Sequence, residues 1–503
     1  MNQVSPALAS LRTSVIAGVR WNTAGATILI GLQGLQLVVL SRMLPPSDFG
    51  LMAMCTVVMA FAESLSAAGT GNYIIYRQST STALLATSTA LNLIVGLGIA
   101  LVVFLGAPLL ADVFNEPRLI LLVRTLACAT FISAIGVVPH QILRRELEFK
   151  TLVTSQVVAM ALATAVSITM AAAGAGVMSL VMGFITRTSA ATALVTWATW
   201  RKMDFGRQFR MSREELGRLV RFGAPQLSER LLGIASDRAD VALVGVIMGA
   251  EILGYYAFAL SLVTIPQMRI NPIATSVALP AFSKLQDKDT ILGTAFCRVL
   301  RVVTAINAPL LLGLVVTAPV AIPLAFGDKW TPAIPVVQLL SLVGLGRAVG
   351  NPVGSLLVAT GAVWRAFAWS VGCVSVTIVA VLTSCLLIGT PSGVAFCTGL
   401  IQLLLVPATY LFLVRPTSNA SWYEYIDAIG RPVIAAAVGA ALAWLPSFVF
   451  ERGTVLAVIQ VAVFIAAYPV ALQAIDPASP RELMQLLRRN TPRTEEMSTN
   501  TGA

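Results

Sequence analysis

Charged residues are scarce in this sequence. Asp, Glu, Lys and Arg make up 11% of its 503 residues, whereas a soluble domain carries about 25%. Hydrophobic residues make up 57%. This composition excludes a set of ordinary soluble domains and predicts that most of the chain lies within a lipid bilayer.

The patterns of metal sites and nucleotide sites are missing as well. The only histidine is His140, and none of the six cysteines forms a CxxC pair. One histidine without thiolate or carboxylate neighbours cannot hold a zinc ion, and the chain has no GxxxxGK[ST] loop for ATP. We therefore expect no metal, no cofactor and no catalytic residues, so the protein is not expected to be an enzyme.

Long apolar runs are what the sequence has instead. Each run of about 20 residues is long enough to cross a hydrocarbon core roughly 30 Å thick, and in lipid such a run has to be helical. The sequence therefore predicts an all-α polytopic membrane protein with about 14 transmembrane helices, at residues 18–41, 49–70, 82–106, 119–139, 152–173, 177–200, 224–248, 252–280, 296–322, 333–359, 364–389, 393–414, 431–449 and 454–473.

The Lys and Arg residues that give the net charge of +11 are distributed unevenly between the two sides of the membrane that these spans define. If both termini are cytoplasmic, 24 of the 34 Lys and Arg residues fall in cytoplasmic segments and 4 in outer loops. Such an excess is typical of cytoplasmic loops, and it also suits anionic membrane lipids. We therefore expect a multi-pass protein with cytoplasmic termini and no nucleic-acid partner.

Weak internal repeats divide the spans into two sets of six. Arg20-Trp21 pairs with Arg221-Phe222 at an offset of 201, and Pro139 pairs with Pro352 at an offset of 213. An even number of spans gives both sets the same orientation, a transporter architecture. The prediction is two parallel-repeat six-helix lobes around a central cavity, two further helices and a disordered cytoplasmic tail, at residues 1–205, 206–416, 417–475 and 476–503.

Ionisable residues within spans are costly in lipid and therefore indicate function. The arginines suit an anionic substrate, because a guanidinium can bond two phosphate oxygens at once. We predict that the arginines line a substrate cavity and that the acids bind a coupling ion; these residues are Arg187, Arg230, Arg238, Arg269 and Arg347, and Glu63, Glu229, Asp237 and Asp240. Alternatively, the charges of residues 229–240 pair with each other, which does not prevent them from lining a cavity.

Three stretches resemble one family of membrane transporters. Residues 40–50 read LSRMLPPSDFG, residues 221–225 and 236–240 read RFGAP and SDRAD, and residues 271–286 read NPIATSVALPAFSKLQ. Together they resemble the bacterial lipid-linked oligosaccharide flippases of the Wzx type, which form the polysaccharide transporter branch of the multidrug/oligosaccharidyl-lipid/polysaccharide superfamily.

The resemblance implies a function. Such a protein flips undecaprenyl-diphosphate-linked oligosaccharide repeat units across the cytoplasmic (inner) membrane by alternating access, for exopolysaccharide or lipopolysaccharide biosynthesis. Its partners would be the polyprenyl-diphosphate-linked oligosaccharide, a proton or sodium ion, and the polysaccharide polymerase and export machinery.

Three alternatives stay open at this point. A peptidoglycan-precursor flippase would have the same lobes and extra helices. A multidrug or ion antiporter of the same superfamily would favour a more acidic cavity than these arginines provide. A membrane-embedded glycosyl polymerase would need a large outer loop, whereas the predicted outer loops are at most about 12 residues long.

The predicted topology can be tested with reporter fusions. Phosphatase, which is active only outside the cytoplasm, is expected to be active when fused after Arg452. A fluorescent protein, which fluoresces inside the cytoplasm, is expected to fluoresce when fused after Arg145, because the basic loops stay cytoplasmic. A cytoplasmic signal from the fusion after Arg452 would contradict this topology.

Overall fold

The described part of the chain is built from helices alone. The computed structural model describes residues 6–67, 70–77, 81–200, 211–283, 289–451, 453–477 and 479, apart from the side chains of residues 6–20, 72, 266, 269–281, 289–290 and 363. Fifteen α-helices lie in these residues: α1 Pro6–Met43, α2 Pro46–Ser66, α3 Thr70–Tyr76, α4 Thr82–Phe114, α5 Leu119–Arg145, α6 Phe149–Ala172, α7 Met178–Thr199, α8 Arg213–Ser283, α9 Asp289–Phe326, α10 Ile334–Ala359, α11 Val363–Leu387, α12 Pro391–Thr409, α13 Arg415–Ser418, α14 Trp422–Trp444 and α15 Thr454–Ile475. Short 3₁₀ helices cover Asp328–Ala333 and Leu445–Phe448, and a π-helical turn covers Tyr410–Val414.

Thirteen helices of the described residues are long and apolar enough to cross a membrane. Helices meet the requirement that every backbone N–H and C=O in lipid be bonded within its own segment. The prediction of an all-α polytopic membrane protein is therefore confirmed, with 13 such helices where about 14 spans were predicted.

The difference in number lies in α8. Its 71 residues would extend about 107 Å at 1.5 Å per residue, more than three times the thickness of a hydrocarbon core. Gly249 interrupts the helix with φ 82° and ψ 179°, a conformation that a residue without a Cβ adopts at little steric cost. The predicted spans 224–248 and 252–280 lie on either side of this break.

The helices form two compact units, each described here by itself. The first unit comprises Met1–Ala259, Ala325–Ala333 and Ser370–Val394, and the second comprises Leu260–Leu324, Ile334–Trp369 and Ala395–Ala503. The predicted lobes at residues 1–205 and 206–416 stay a prediction. So does the disordered tail, which lies almost entirely outside the described residues.

In the first unit, α2 and α8 cross with their backbones in contact. A methyl group added at Gly50 would lie 1.7 Å from the carbonyl oxygen of Ala250, and one added at Gly254 would lie 1.9 Å from that of Pro46. Small residues are used in membranes to let helix backbones approach this closely. The two glycines therefore allow the start of α2 to pack on α8 just after its break.

In the second unit, ion pairs fasten α14 and α15 to α9. Arg301 on α9 donates to Asp427 on α14 at 2.8 Å, and its other terminal nitrogen lies 3.7 Å from Asp476 at the end of α15. Arg431 also binds Asp427, at 2.5 Å. Asp476 is fully buried. Because removing one partner of a buried ion pair leaves a charge unpaired, we expect Arg301 to contribute about 3–5 kcal/mol to this attachment.

The crossing of α2 and α8 generates a stability prediction. We expect Gly254→Ala to destabilise the protein by about 1–3 kcal/mol, because the new methyl group would overlap the Pro46 carbonyl and force the helices apart. Gly98→Ala is the matched control, since nothing lies within 4 Å of the added methyl group. The measurement is the thermal unfolding midpoint in detergent. An equal midpoint for both variants would contradict the close crossing.

Candidate functional site

Three of the charged residues predicted for the site lie in the first unit. Glu63 is on α2, Arg187 is near the middle of α7, and Arg230 is on α8 before the break. Both guanidinium groups are near enough for their positive charges to act on the Glu63 carboxylate. The fold thus places one acid within electrostatic reach of two arginines that are far from it in sequence.

The two arginines of this group are exposed, whereas Glu63 is half-buried. The guanidinium of Arg187 also lies over the ring of Phe184, one helical turn away, at 5.1 Å from the ring centroid. A charge exposed near the middle of a membrane-spanning helix is too costly to face lipid tails. The lining of a water-filled cavity by Arg187 and Arg230 stays a prediction.

The remaining charges of α8 differ in their surroundings. Glu229 and Asp237 are exposed and Arg238 is half-buried. Asp240 is 1% exposed and accepts a hydrogen bond from the hydroxyl of Tyr256 at 2.9 Å. The buried carboxylate of Asp240 thus joins α8 before its break to α8 after it, and its predicted role in ion binding stays a prediction.

The predicted site residues of the second unit are less informative. Arg347 on α10 is half-buried, and the side chain of Arg269 lies outside the described residues. Gln267, which the repeat offset pairs with Glu63, is buried and donates to the carbonyl oxygen of Gly344 at 2.9 Å. The amide of Gln267 thus ties α8 to α10.

An uncharged polar pair was missed in the sequence. Thr70 and Asn92 are both fully buried, and the Thr70 hydroxyl lies 3.0 Å from the Asn92 amide oxygen. Ser88, one turn before Asn92 on α4, is also fully buried. The available signal was the spacing of Ser88 and Asn92, which places two polar groups on one face of an apolar helix.

Metal ligands do not gather in the part of the chain that the structure describes, because no three His, Cys, Asp or Glu side chains there could hold an ion together. The group of Glu63, Arg187 and Arg230 instead contains two guanidinium groups and one carboxylate, so its charged side chains are mainly cationic.

Comparison with known proteins identifies the family. Residues 39–335 match the family described as "Polysaccharide biosynthesis protein". The lipopolysaccharide biosynthesis protein WzxC of Escherichia coli (strain K12) is 33% identical over 426 residues, which are 84% of this chain and 85% of that protein. The teichuronic acid biosynthesis protein TuaB of Bacillus subtilis (strain 168) is 28% identical over 95% of this chain and 99% of its own length.

A solved structure shows the same fold. The lipid II flippase MurJ, in an inward closed conformation, superposes with a TM-score of 0.73 over 92% of this chain and 99% of its own, at 11% sequence identity. At that identity the likeness concerns the fold alone. The family match and the relatives, and not this likeness, identify the chain as a transporter and not an enzyme. The chain belongs to the Wzx-like membrane transporters of polysaccharide biosynthesis.

Proposed function

We propose that this transporter flips undecaprenyl-diphosphate-linked oligosaccharide repeat units across the bacterial cytoplasmic membrane by alternating access. The repeat units would serve exopolysaccharide or lipopolysaccharide biosynthesis. The observation that carries the proposal is the group formed by Glu63, Arg187 and Arg230 in the first unit. The polymerase and export machinery stay predicted partners.

The charge of this group suits a diphosphate. Two guanidinium groups and one carboxylate leave an excess positive charge before substrate arrives, and an incoming diphosphate would compensate it. A guanidinium offers planar, paired donors that match two phosphate oxygens. Arg187 and Arg230 are both exposed side chains, whereas the polyprenyl chain can remain among the lipid tails.

The relatives favour a polysaccharide precursor over the alternatives. WzxC and TuaB, by their names, serve lipopolysaccharide and teichuronic acid biosynthesis. The likeness to the lipid II flippase supports a shared fold and leaves the peptidoglycan precursor as the second candidate. An antiporter of organic cations fits less well, because two arginines at the site would repel a cationic substrate.

Glu63 is the acid best placed to couple ion movement to transport. Its carboxylate shares the site with both arginines, so a proton or sodium ion bound there would change the charge that the headgroup meets. Glu229 and Asp237 are exposed on α8 and are further candidates for this role. Arg238, Arg269 and Arg347 stay candidates for the lining of the passage.

The proposal predicts that Arg187→Gln and Arg230→Gln each weaken headgroup binding. We expect about a tenfold to hundredfold loss of affinity for a soluble polyprenyl-diphosphate analogue, because each change removes hydrogen bonds to a charged group worth about 1.5–3 kcal/mol. The measurement is equilibrium binding to purified protein, together with accumulation of lipid-linked repeat units in a complemented deletion strain. The Lys variants should retain part of the affinity, since they keep the charge without the fork.

Arg124→Gln is the matched control for these variants. Arg124 also lies in a membrane-spanning helix, α5, but its guanidinium sits over the ring of Phe104 at 5.1 Å from the centroid. We expect its affinity for the analogue to be unchanged. Unchanged binding in both Arg187→Gln and Arg230→Gln would remove the basis of the proposed headgroup site.

Coupling through Glu63 generates a separate prediction. We expect Glu63→Gln to bind the analogue at least as tightly as the parent protein, because the change removes the negative charge beside both arginines. Transport in vesicles should at the same time stop responding to an imposed proton or sodium gradient. Full gradient-driven transport by Glu63→Gln would show that Glu63 does not bind the coupling ion.

A further inference from the structure

A short segment between α9 and α10 packs on the end of α1. We call residues 325–333 the strap. The strap belongs to the first unit, whereas the residues before and after it in the sequence belong to the second. It starts at the end of α9, turns at Gly327 with φ 98°, and continues as the 3₁₀ helix Asp328–Ala333. The predicted topology places it at the outer surface.

The strap supplies the hydrogen bonds that the end of α1 lacks. The last carbonyl groups of a helix have no partner within the helix. The Lys329 ammonium donates to the carbonyl oxygens of Arg42 at 3.0 Å and Leu44 at 2.8 Å. The indole N–H of Trp330 donates to the carbonyl oxygen of Ser41 at 2.9 Å. A residue pair almost 290 positions away in sequence thus caps α1.

The bonding is reciprocal. The guanidinium of Arg42 donates through Nε to the carbonyl oxygen of Ala325 at 2.8 Å, which is at the start of the strap. Lys329 adds a positive charge at the C-terminus of α1, where the partial negative charge of the helix dipole is concentrated. Polar contacts therefore hold the strap at its start and near its centre.

Aromatic packing fixes the centre of the strap. Trp330 is fully buried. Its ring is stacked on Phe258 of α8 with centroids 4.1 Å apart, and it meets Phe49 of α2 edge-on at 5.1 Å. The indole therefore fills the space between the end of α1, the start of α2 and α8 beyond its break.

The polar contacts can be exchanged for water at little net cost. Three of the four bonds end on backbone carbonyls of residues 41–44, at and just after the end of α1. Water can bond the same carbonyls once the strap has moved away, so the net free energy of such bonds is small. Lys329 and Arg42 are already exposed. Gly327 connects α9 to the 3₁₀ helix of the strap, and a Cβ added there would have no atom within 4 Å, so the connection is not tightly packed.

We propose that the strap is a releasable lock: its seat on the end of α1 keeps that end of the first unit closed to outside water, and the strap leaves the seat during transport. Lys329 and Trp330 are the positioning residues of the lock. The requirement for release rests on the proposed transport function, whereas the shielding by the strap does not.

The lock predicts how fast a cysteine beneath the strap reacts. Ser41 is fully buried, and its side chain takes no part in the Trp330 bond. In a protein without the six native cysteines, we expect Ser41→Cys to react slowly with a membrane-impermeant maleimide added outside spheroplasts. Lys329→Met should raise the labelling rate about tenfold, because it lowers the population of the seated state.

Asp328→Asn is the matched control for Lys329→Met. Asp328 is an exposed residue of the same 3₁₀ helix, and the change keeps the donors of the strap, so the labelling rate should stay at the parent value. Fast labelling of the parent protein, or equal rates for the parent and Lys329→Met, would overturn the shielding. This measurement needs no substrate, so it is independent of the proposed function.

A cross-link tests the release. Met43 and Asp328 are exposed neighbours of Arg42 and Lys329 in sequence, and their replacement removes no strap hydrogen bond. We expect a cleavable bismaleimide between cysteines at these two positions to stop polysaccharide export, and cleavage of the linker to restore it. Full export with the linker in place would overturn the release. If the parent protein does not transport the lipid-linked substrate at all, that result counts against the proposed function and not against the release.

Discussion

A charged group in the hydrocarbon core of a membrane has to reach water or an opposite charge, and this constraint organises the protein. An isolated charge at the centre of a helix costs about 2.5–3.5 kcal/mol on insertion scales. Glu63 accordingly lies in the field of Arg187 and Arg230. In the second unit, Arg301 pairs with Asp427 and Asp476, which lie just outside the predicted spans 431–449 and 454–473.

The same constraint applies to backbone groups at helix ends. The end of α1 takes its cap from Lys329 and Trp330, a distant segment, and not from residues that follow it. Gly50, one of the two glycines at the close crossing of α2 and α8, lies only a few residues after the capped end of α1 in sequence.

Much of the architecture could be read from apolar runs, because each span is a local property of about 20 residues. The predicted span 454–473 is α15, and the predicted boundary between 248 and 252 lies at the break at Gly249. The sequence did not predict that helical structure resumes directly after Gly249 to form one element, α8, because this depends on the backbone conformation of that single glycine. The helix α3 was not predicted, and nearly all of it lies in the loop predicted after the span 49–70, because seven residues are too few to produce a periodic signal.

The sequence by itself determined the membrane class, the approximate spans and the short set of intramembrane charges, because these follow from the cost of burying each residue type in lipid. The tertiary structure alone decided which of these residues act on one another. It placed Glu63 within electrostatic reach of Arg187 and Arg230, placed Asp240 against Tyr256, and turned Lys329 and Trp330, which look like ordinary loop residues, into the cap of α1. The physical reason is that a charge in lipid demands a partner without specifying it. The choice of partner depends on the packing of helices that are far apart in the chain.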